Sequence, residues 1–418
     1  MTPRPGFPEP PGGPGPFDRV RRTARRTAAR AAAHPRVALP LARIPLGRRL
    51  PEGLAVLRVA AERFEDGESY RILGHCWCAA HRPLNLGPSA DRLAAPEVTL
   101  AKARAGGEPP SELLRAIGGW SERHPELLAW LRGLHDGRHP VPALLVRDET
   151  GGDMPWELLW VTPPSRETPA LLGALMPVSR WIVRGPETLP VRRDPVPGRV
   201  VGYVHDAMAD DVGAFEAFAP RLHRRMRDFL TDLEDAAAHT DLVYMACHGH
   251  HGDRLSGLRL GTLTWQELDR RPLAAVEKHR PVVFLNVCET GRFLDNRGQG
   301  ERRLRGFAEL FLRKGADGCI VAAGAVGDRE ARVLVHALMA DTARGPGRPL
   351  GGFLQDFRAR AAERIDLDDL PFLADEDDDS DIEGQSRVRS VLYAFMFHYY
   401  GHPDRALALT ATGREATA

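Results

Sequence analysis

The chain of 418 residues is short of cysteine and lysine and of any long apolar run, and neither sign of charge dominates. Five cysteines are too few, and odd in number, for a disulfide framework. A reducing compartment, the cytoplasm, and at least one free thiol are therefore expected. No stretch approaches the ~20 consecutive apolar residues of a membrane-crossing helix, so no span is expected. With 57 basic against 56 acidic groups, nucleic acid is not the default partner. Lysine is confined to Lys102, Lys278 and Lys314. The remaining basic residues are arginine, which we read as the codon usage of a GC-rich bacterial genome.

What is present is a globular composition, 43% hydrophobic and 27% charged, long enough for two or three folded units. Residues 1–37 hold Pro and Gly repeats and then an Arg/Ala run without the apolar core of a secretory signal, and read as a disordered tail. An anchor to a membrane surface or an acidic partner is the alternative there. Residues 38–190 form an N-terminal accessory region, and residues 191–418 a second region. Between them GPETLPVRRDPVPG (185–198) is rich in proline, as a linker would be. In the first region, short apolar runs over 38–80 suggest strands. Leu113, Leu114, Ile117, Trp120, Leu127, Leu128, Trp130 and Leu131 are spaced as on a helix. PALLVRD then reads as a strand, followed by a turn and PWELLW.

Past the linker the pattern becomes regular. RVVGYVHD (199–206), DLVYMAC (241–247), PVVFLNV (281–287) and GCIVAAGAV (318–326) are apolar, β-branched runs separated by helix-length segments. This is the signature of an α/β fold with a mostly parallel sheet and helices on both faces. Ligands and catalytic groups collect past the carboxyl ends of such strands. The residues there are Asp206, His248 with Gly249, Cys288 and, slightly further on, Asp328. A free thiol is mostly protonated at neutral pH, so a cysteine nucleophile needs an imidazole beside it to hold or take the proton. His248 and Cys288, at the ends of successive strands, fit that requirement. The backbone N–H groups of Gly249 and Cys288 could stabilise an oxyanion, and Gly249 admits close approach of a carbonyl.

The ordered motifs VYMACHG (243–249), SGLRLGTLTWQEL (256–268), VVFLNVCETG (282–291), GERRLRGFAELFLRKGADGCIVAAGAVGD (300–328) and YAFMFHYYGHP (393–403), with PWELL at 155–159, resemble the CHAT peptidases, caspase-like cysteine peptidases related to caspases and separase. The resemblance covers about 140–410. It implies a caspase-like fold with a pseudo-caspase N-terminal half, His248 as the catalytic histidine and Cys288 as the nucleophile, with no metal and no cofactor. It also implies a protein or peptide substrate and a bacterial effector role in stress, immunity or cell death, latent until a sensor or partner acts. Three features depart from the family pattern: AAGAVGD after the fourth strand, Asn286-Val287 in place of the commoner Ser-Ala, and the acidic run 374–384, which looks inserted. Asp206 and Asp328 fall where a caspase-like fold places the pocket for the residue before the cleaved bond. A helix cap is the favoured alternative for Asp328.

Other readings compete. HGHHGD (248–253) lacks two residues of a zinc-hydrolase motif; His250 and His251 read as loop residues near the cleft, either replacing His248 as base if the strand ends later, and Cys247 and Cys319 read as packing. In HCWCAAH, His75, Cys76, Cys78 and His81 are candidate zinc donors, but C-x-C is a short spacing for one structural zinc and an alternating strand is the favoured reading. The acidic residues of 366–383 read as a solvated loop, with a calcium site or a gating loop as alternatives. A non-catalytic scaffold and a metal-dependent hydrolase remain the rival functions, and an autoprocessing enzyme a third.

Overall fold

The computed structural model describes residues 50–411 except 65–66, 79, 88–98, 103–108, 136–140, 152, 183–188, 296–303, 346 and 372–378. The tail 1–37 therefore lies outside the described residues, as do residues 38–49.

Among the described residues eleven strands form one sheet: β1 (Leu54–Phe64), β2 (Gly67–Cys76), β3 (Leu84–Leu86), β4 (Ala143–Asp148), β5 (Val178–Arg180), β6 (Arg199–Val204), β7 (Arg221–His223), β8 (Thr240–Ala246), β9 (Val282–Asn286), β10 (Gly318–Ala322) and β11 (Phe397–Gly401). Their order across the sheet is β3-β2-β1-β4-β5-β11-β10-β9-β8-β6-β7. Neighbours are parallel except at β3–β2, β2–β1 and β11–β10. The antiparallel β11–β10 pair is where direction reverses: β1, β4, β5 and β11 run one way, and β10, β9, β8, β6 and β7 the other. The last strand among the described residues thus lies at the boundary between the two sets, and the Pro-rich segment 185–198 stands in sequence between β5 and β6 of one continuous sheet.

Alternation along each strand sorts side chains to two faces, both covered. Leu242, Tyr244, Phe284, Ile320 and Phe397 pack with residues of the helices Pro110–Glu122, Asp328–Ala343, Leu350–Ala362 and Asp379–Met396. Val243, Met245, Leu285, Val321 and Tyr400 pack with residues of Met226–Glu234, Trp265–Arg270 and Phe307–Arg313. Strands buried on both sides must be apolar throughout, which is why β8, β9 and β10 read as unbroken hydrophobic runs. The helical spacing over 110–135 resolves into two helices, because Pro125 cannot continue the first and instead starts Pro125–Gly133.

PWELL ties together β5 and β11, neighbours within one parallel set. Glu157 is fully buried, accepts from Arg180 Nε at 2.9 Å and is paired with Arg180 Nη2, and lies 3.6 Å from His398 Nε2 on β11. Burial acts to raise the Glu157 carboxyl, but Arg180 first, and His398 and Arg358 with it, together outweigh burial and hold the group well below the usual carboxylate range. Trp156 is pinned by its Nε1 donating to Asp148 Oδ2 at 2.9 Å.

Two sequence expectations are corrected. Residues 379–384 of the acidic run form the first turns of the helix Asp379–Met396 rather than a loop, consistent with the preference of acidic side chains for a helix amino end; residues 374–378 lie outside the described residues. Strand alternation stops at Cys76, the last residue of β2, so Cys78 belongs to the bend that follows it.

Candidate active site

Sheet register brings the two strand ends together. Ala246 pairs with Asn286 in the parallel β8–β9 ladder, so His248 and Cys288 each lie two residues beyond the same rung. The approach is closest at Gly249. A Cβ built there would lie 2.3 Å from the Cys288 carbonyl oxygen and 2.7 Å from Val287 Cγ1. Glycine is the residue that permits this contact between the two loops.

Each loop is fastened on its far side. Gly249–His250 pairs with Arg259–Leu260, which pairs in turn with Leu263–Thr264, and Gly261 takes φ +58° at the hairpin turn. Gly261 N donates to His248 O at 2.7 Å. Thr264 then caps the next helix: its Oγ1 accepts from Glu267 N at 3.2 Å while its own N–H donates to Glu267 Oε2 at 2.8 Å. SGLRLGTLTWQEL therefore encodes the hairpin and helix start that hold Gly249 in place. Beyond Cys288, Glu289 N donates to Gly324 O at 3.0 Å, Gly291 N to Ala322 O at 2.7 Å, and Thr290 Oγ1 to Val287 O at 2.9 Å. Glu289 sits at φ +58°, a left-handed conformation costly for a residue with a Cβ. Its carboxylate is held by Arg292 Nη1 at 3.0 Å, and Arg292 Nε reaches Asp153 at 2.9 Å. The loop after Cys288 is thereby tied to the segment preceding PWELL.

Cys288 is half-buried and lines a small cavity with Met208, Cys247, Asn286, Val326 and Asp328. Its Sγ donates to Val326 O at 3.8 Å. Burial pushes the thiol up, and the Glu289 and Asp328 carboxylates act in the same direction. His248 is exposed, with its ring centroid 5.9 Å from that of His205. Among the described residues the two catalytic candidates are adjacent through the Gly249 backbone and make no side-chain hydrogen bond to each other.

Asp328 is the first residue of the helix Asp328–Ala343. Gly327 is the N-cap, so Asp328 is not the cap that sequence favoured, and its position beside Cys288 leaves it on the cavity wall. Asp206 is 87% exposed in its side chain, 3.7 Å from Arg224 Nη1, and is not among the cavity-lining residues. Cys247 is buried on the wall of the same cavity, and burial pushes its thiol up to about 12. His250 is exposed. His251 is half-buried with an unpartnered Nε2, and burial together with the Arg292 charge pushes its pKa down to about 4. Among the described residues, no three donors of HGHHGD converge as metal ligands; Cys76, Cys78 and His81 do.

Sequence reasoning missed the support beneath Cys288. Asn286 Nδ2 donates to Asp211 Oδ2 at 2.9 Å, and Tyr244 OH donates to the same oxygen at 2.6 Å. All three residues are buried. The signal was a polar Asn within an otherwise apolar strand, which requires a partner. His205 was also passed over, although it ends the same run as Asp206 and its position after β6 was the available cue.

Residues 217–351, which include both His248 and Cys288, match the family model for the CHAT domain. Two solved structures of gingipain R are similar, one the Arg-specific cysteine proteinase itself (11% identity, 68% of each chain, TM-score 0.41) and one a complex of pro- and mature domains from Porphyromonas gingivalis (10% identity, 68% of this chain and 70% of that one, TM-score 0.43). The separase of a Saccharomyces cerevisiae separase–securin complex is similar over 62% of this chain and 16% of its own, at 13% identity and TM-score 0.36. No curated protein sequence matches the chain.

Proposed function

We propose that this protein is a cysteine endopeptidase whose nucleophile is Cys288 and whose general base is His248. The observation that carries the reading is the meeting of the two strand ends at Gly249, within the segment that matches the CHAT domain. Cys288 attacks the scissile carbonyl as its proton passes to His248. The amides of Gly249 and Cys288 hold the oxyanion, and His248 returns the proton to the leaving amine. Water then releases the acyl-enzyme. Asp328, on the cavity wall, supplies a negative charge suited to Arg or Lys before the cleaved bond. Asp206, at the same strand edge, is a second acidic candidate for substrate contact.

The resting form is latent in this proposal. Burial and two carboxylates keep the thiol protonated, its Sγ faces the Val326 carbonyl, and the His248 ring is exposed. A sensor or partner protein that shifts the 324–328 segment would free the thiol for His248. Such control suits a bacterial effector of stress, immunity or cell death acting in the cytoplasm. No helix among the described residues is long and apolar enough to cross a membrane.

The test is alkylation at limiting reagent near pH ~6.5, mapped by peptide mass spectrometry, since a His-stabilised thiolate reacts below the ordinary thiol pKa. Cys288 should label faster in the activated protein than at rest, and the gain should vanish in His248→Ala. Cleavage of protein substrates should be lost in Cys288→Ala. Activity that persists in a clean Cys288→Ala preparation would overturn the mechanism.

A further inference from the structure

The structure assigns Cys76, Cys78 and His81 to a binding site for a single zinc ion, held by two thiolates and one imidazole. The three donor atoms form a compact triangle: Cys76 Sγ to Cys78 Sγ is 3.6 Å, Cys78 Sγ to His81 Nδ1 is 3.0 Å, and Cys76 Sγ to His81 Nδ1 is 3.2 Å. A tetrahedral zinc with ordinary bond lengths sets sulfur–sulfur separations of about 3.8 Å and sulfur–nitrogen separations of about 3.6 Å. Closing on the ion therefore requires small outward movements only.

The imidazole is already prepared for this task. His81 Nε2 lies 2.9 Å from the carbonyl oxygen of Gly133. A carbonyl can only accept, so Nε2 carries the proton and Nδ1, which faces both sulfurs, carries the lone pair. A histidine ligand oriented by a backbone carbonyl on its other nitrogen is the usual outer support of a metal site. Sequence spacing ranked the cluster below a strand because C-x-C is short for one structural zinc and fits strand alternation. Here β2 ends at Cys76, the chain bends, and His81 folds back over both thiols.

Two thiolates and an imidazole select a borderline-soft cation over calcium or magnesium, and water completes the fourth position. The ion would fasten the β2–β3 connection to the carboxyl end of the helix Pro125–Gly133, which that connection reaches through the His81 contact. β2 and β9 are six positions apart in the sheet, roughly 29 Å at about 4.8 Å per strand. Metal bound here therefore acts on the fold of this edge and does not enter the chemistry proposed for Cys288.

The experiment uses the full chain, purified under reducing conditions with zinc supplied, desalted, and analysed by inductively coupled plasma mass spectrometry. Wild type and Cys288→Ala should each retain one zinc per chain. Cys76→Ser, Cys78→Ser and His81→Ala should bind at least about tenfold more weakly. Because a variant can fail to fold, cobalt is also titrated into the reduced, metal-stripped wild type. A thiolate-to-cobalt charge-transfer absorption with the visible bands of a tetrahedral centre is expected. The assignment is overturned by wild type that holds no zinc and gives no charge-transfer band. Zinc retained equally by all three site variants, or a Cys76–Cys78 disulfide in protein that carries no metal, would also overturn it.

Discussion

Gly249→Ala tests the central contact of the site with one methyl group. The added Cβ would lie 2.3 Å from the Cys288 carbonyl oxygen, whereas ordinary contact begins at 3.4 Å, so the loops must separate by about 1.1 Å. Neither side yields easily. Gly249 is held by its pairing with Leu260 and by the bond from Gly261 N to His248 O. Cys288 is followed at once by the bond from Glu289 N to Gly324 O, and Val287 beneath it is buried. Overpacking of this kind costs about 1–3 kcal/mol. A displacement near 1 Å between reacting groups costs about 10²-fold in rate. Stability is read by urea unfolding, and Cys288 accessibility by timed alkylation. The variant should lose that stability and label faster at Cys288, since separation relieves the burial that holds the thiol up, while peptidase turnover in the activated form falls. Gly119→Ala is the control: a Cβ there meets nothing within 4 Å, and it lies inside the helix Pro110–Glu122, so it should be stabilising by about 0.4–1 kcal/mol. A Gly249→Ala protein within about 0.5 kcal/mol of wild type and with unchanged labelling would refute the argument.

Other perturbations address the surrounding structure. Asp328→Asn removes a carboxylate that disfavours the thiolate, so the pH midpoint of Cys288 alkylation should move down; a midpoint that rises contradicts the electrostatic account. Glu157→Gln leaves Arg180 and Arg358 buried without their carboxylate and should cost about 3–5 kcal/mol by denaturant unfolding. Asn286→Ala, which strips a donor from the buried Asp211 carboxylate, should cost about 1–3 kcal/mol. Burial, with the Arg180 charge, pushes His398 down to about 3. The unfolded ring takes up a proton below about 6.5, so this residue alone makes stability fall as pH drops, by about 2 kcal/mol between about pH 7 and pH 5. His398→Gln should flatten that slope in urea titrations, and an unchanged slope would place the acid sensitivity elsewhere.

The sequence by itself determined whatever depends on local pattern. Strands buried on both faces have to be apolar throughout, so β6, β8, β9 and β10 were legible as runs, and the residues just past their ends were legible as the place for chemistry. His248, Gly249 and Cys288 stood out there, and ordered motifs around them carried the family resemblance. Tertiary structure decided what depends on register and on how distant segments meet. It placed β11 at the boundary between two oppositely directed sets of strands and brought Asp211 beneath Asn286. It set Asp206 in solvent and Asp328 against the Cys288 cavity, although both follow strands at the same sheet edge. It also folded His81 back onto Cys76 and Cys78, where periodicity alone saw a strand. Periodicity reports which face a residue occupies; a turn that reverses the chain, or a partner more than 70 positions away, leaves no mark on that period.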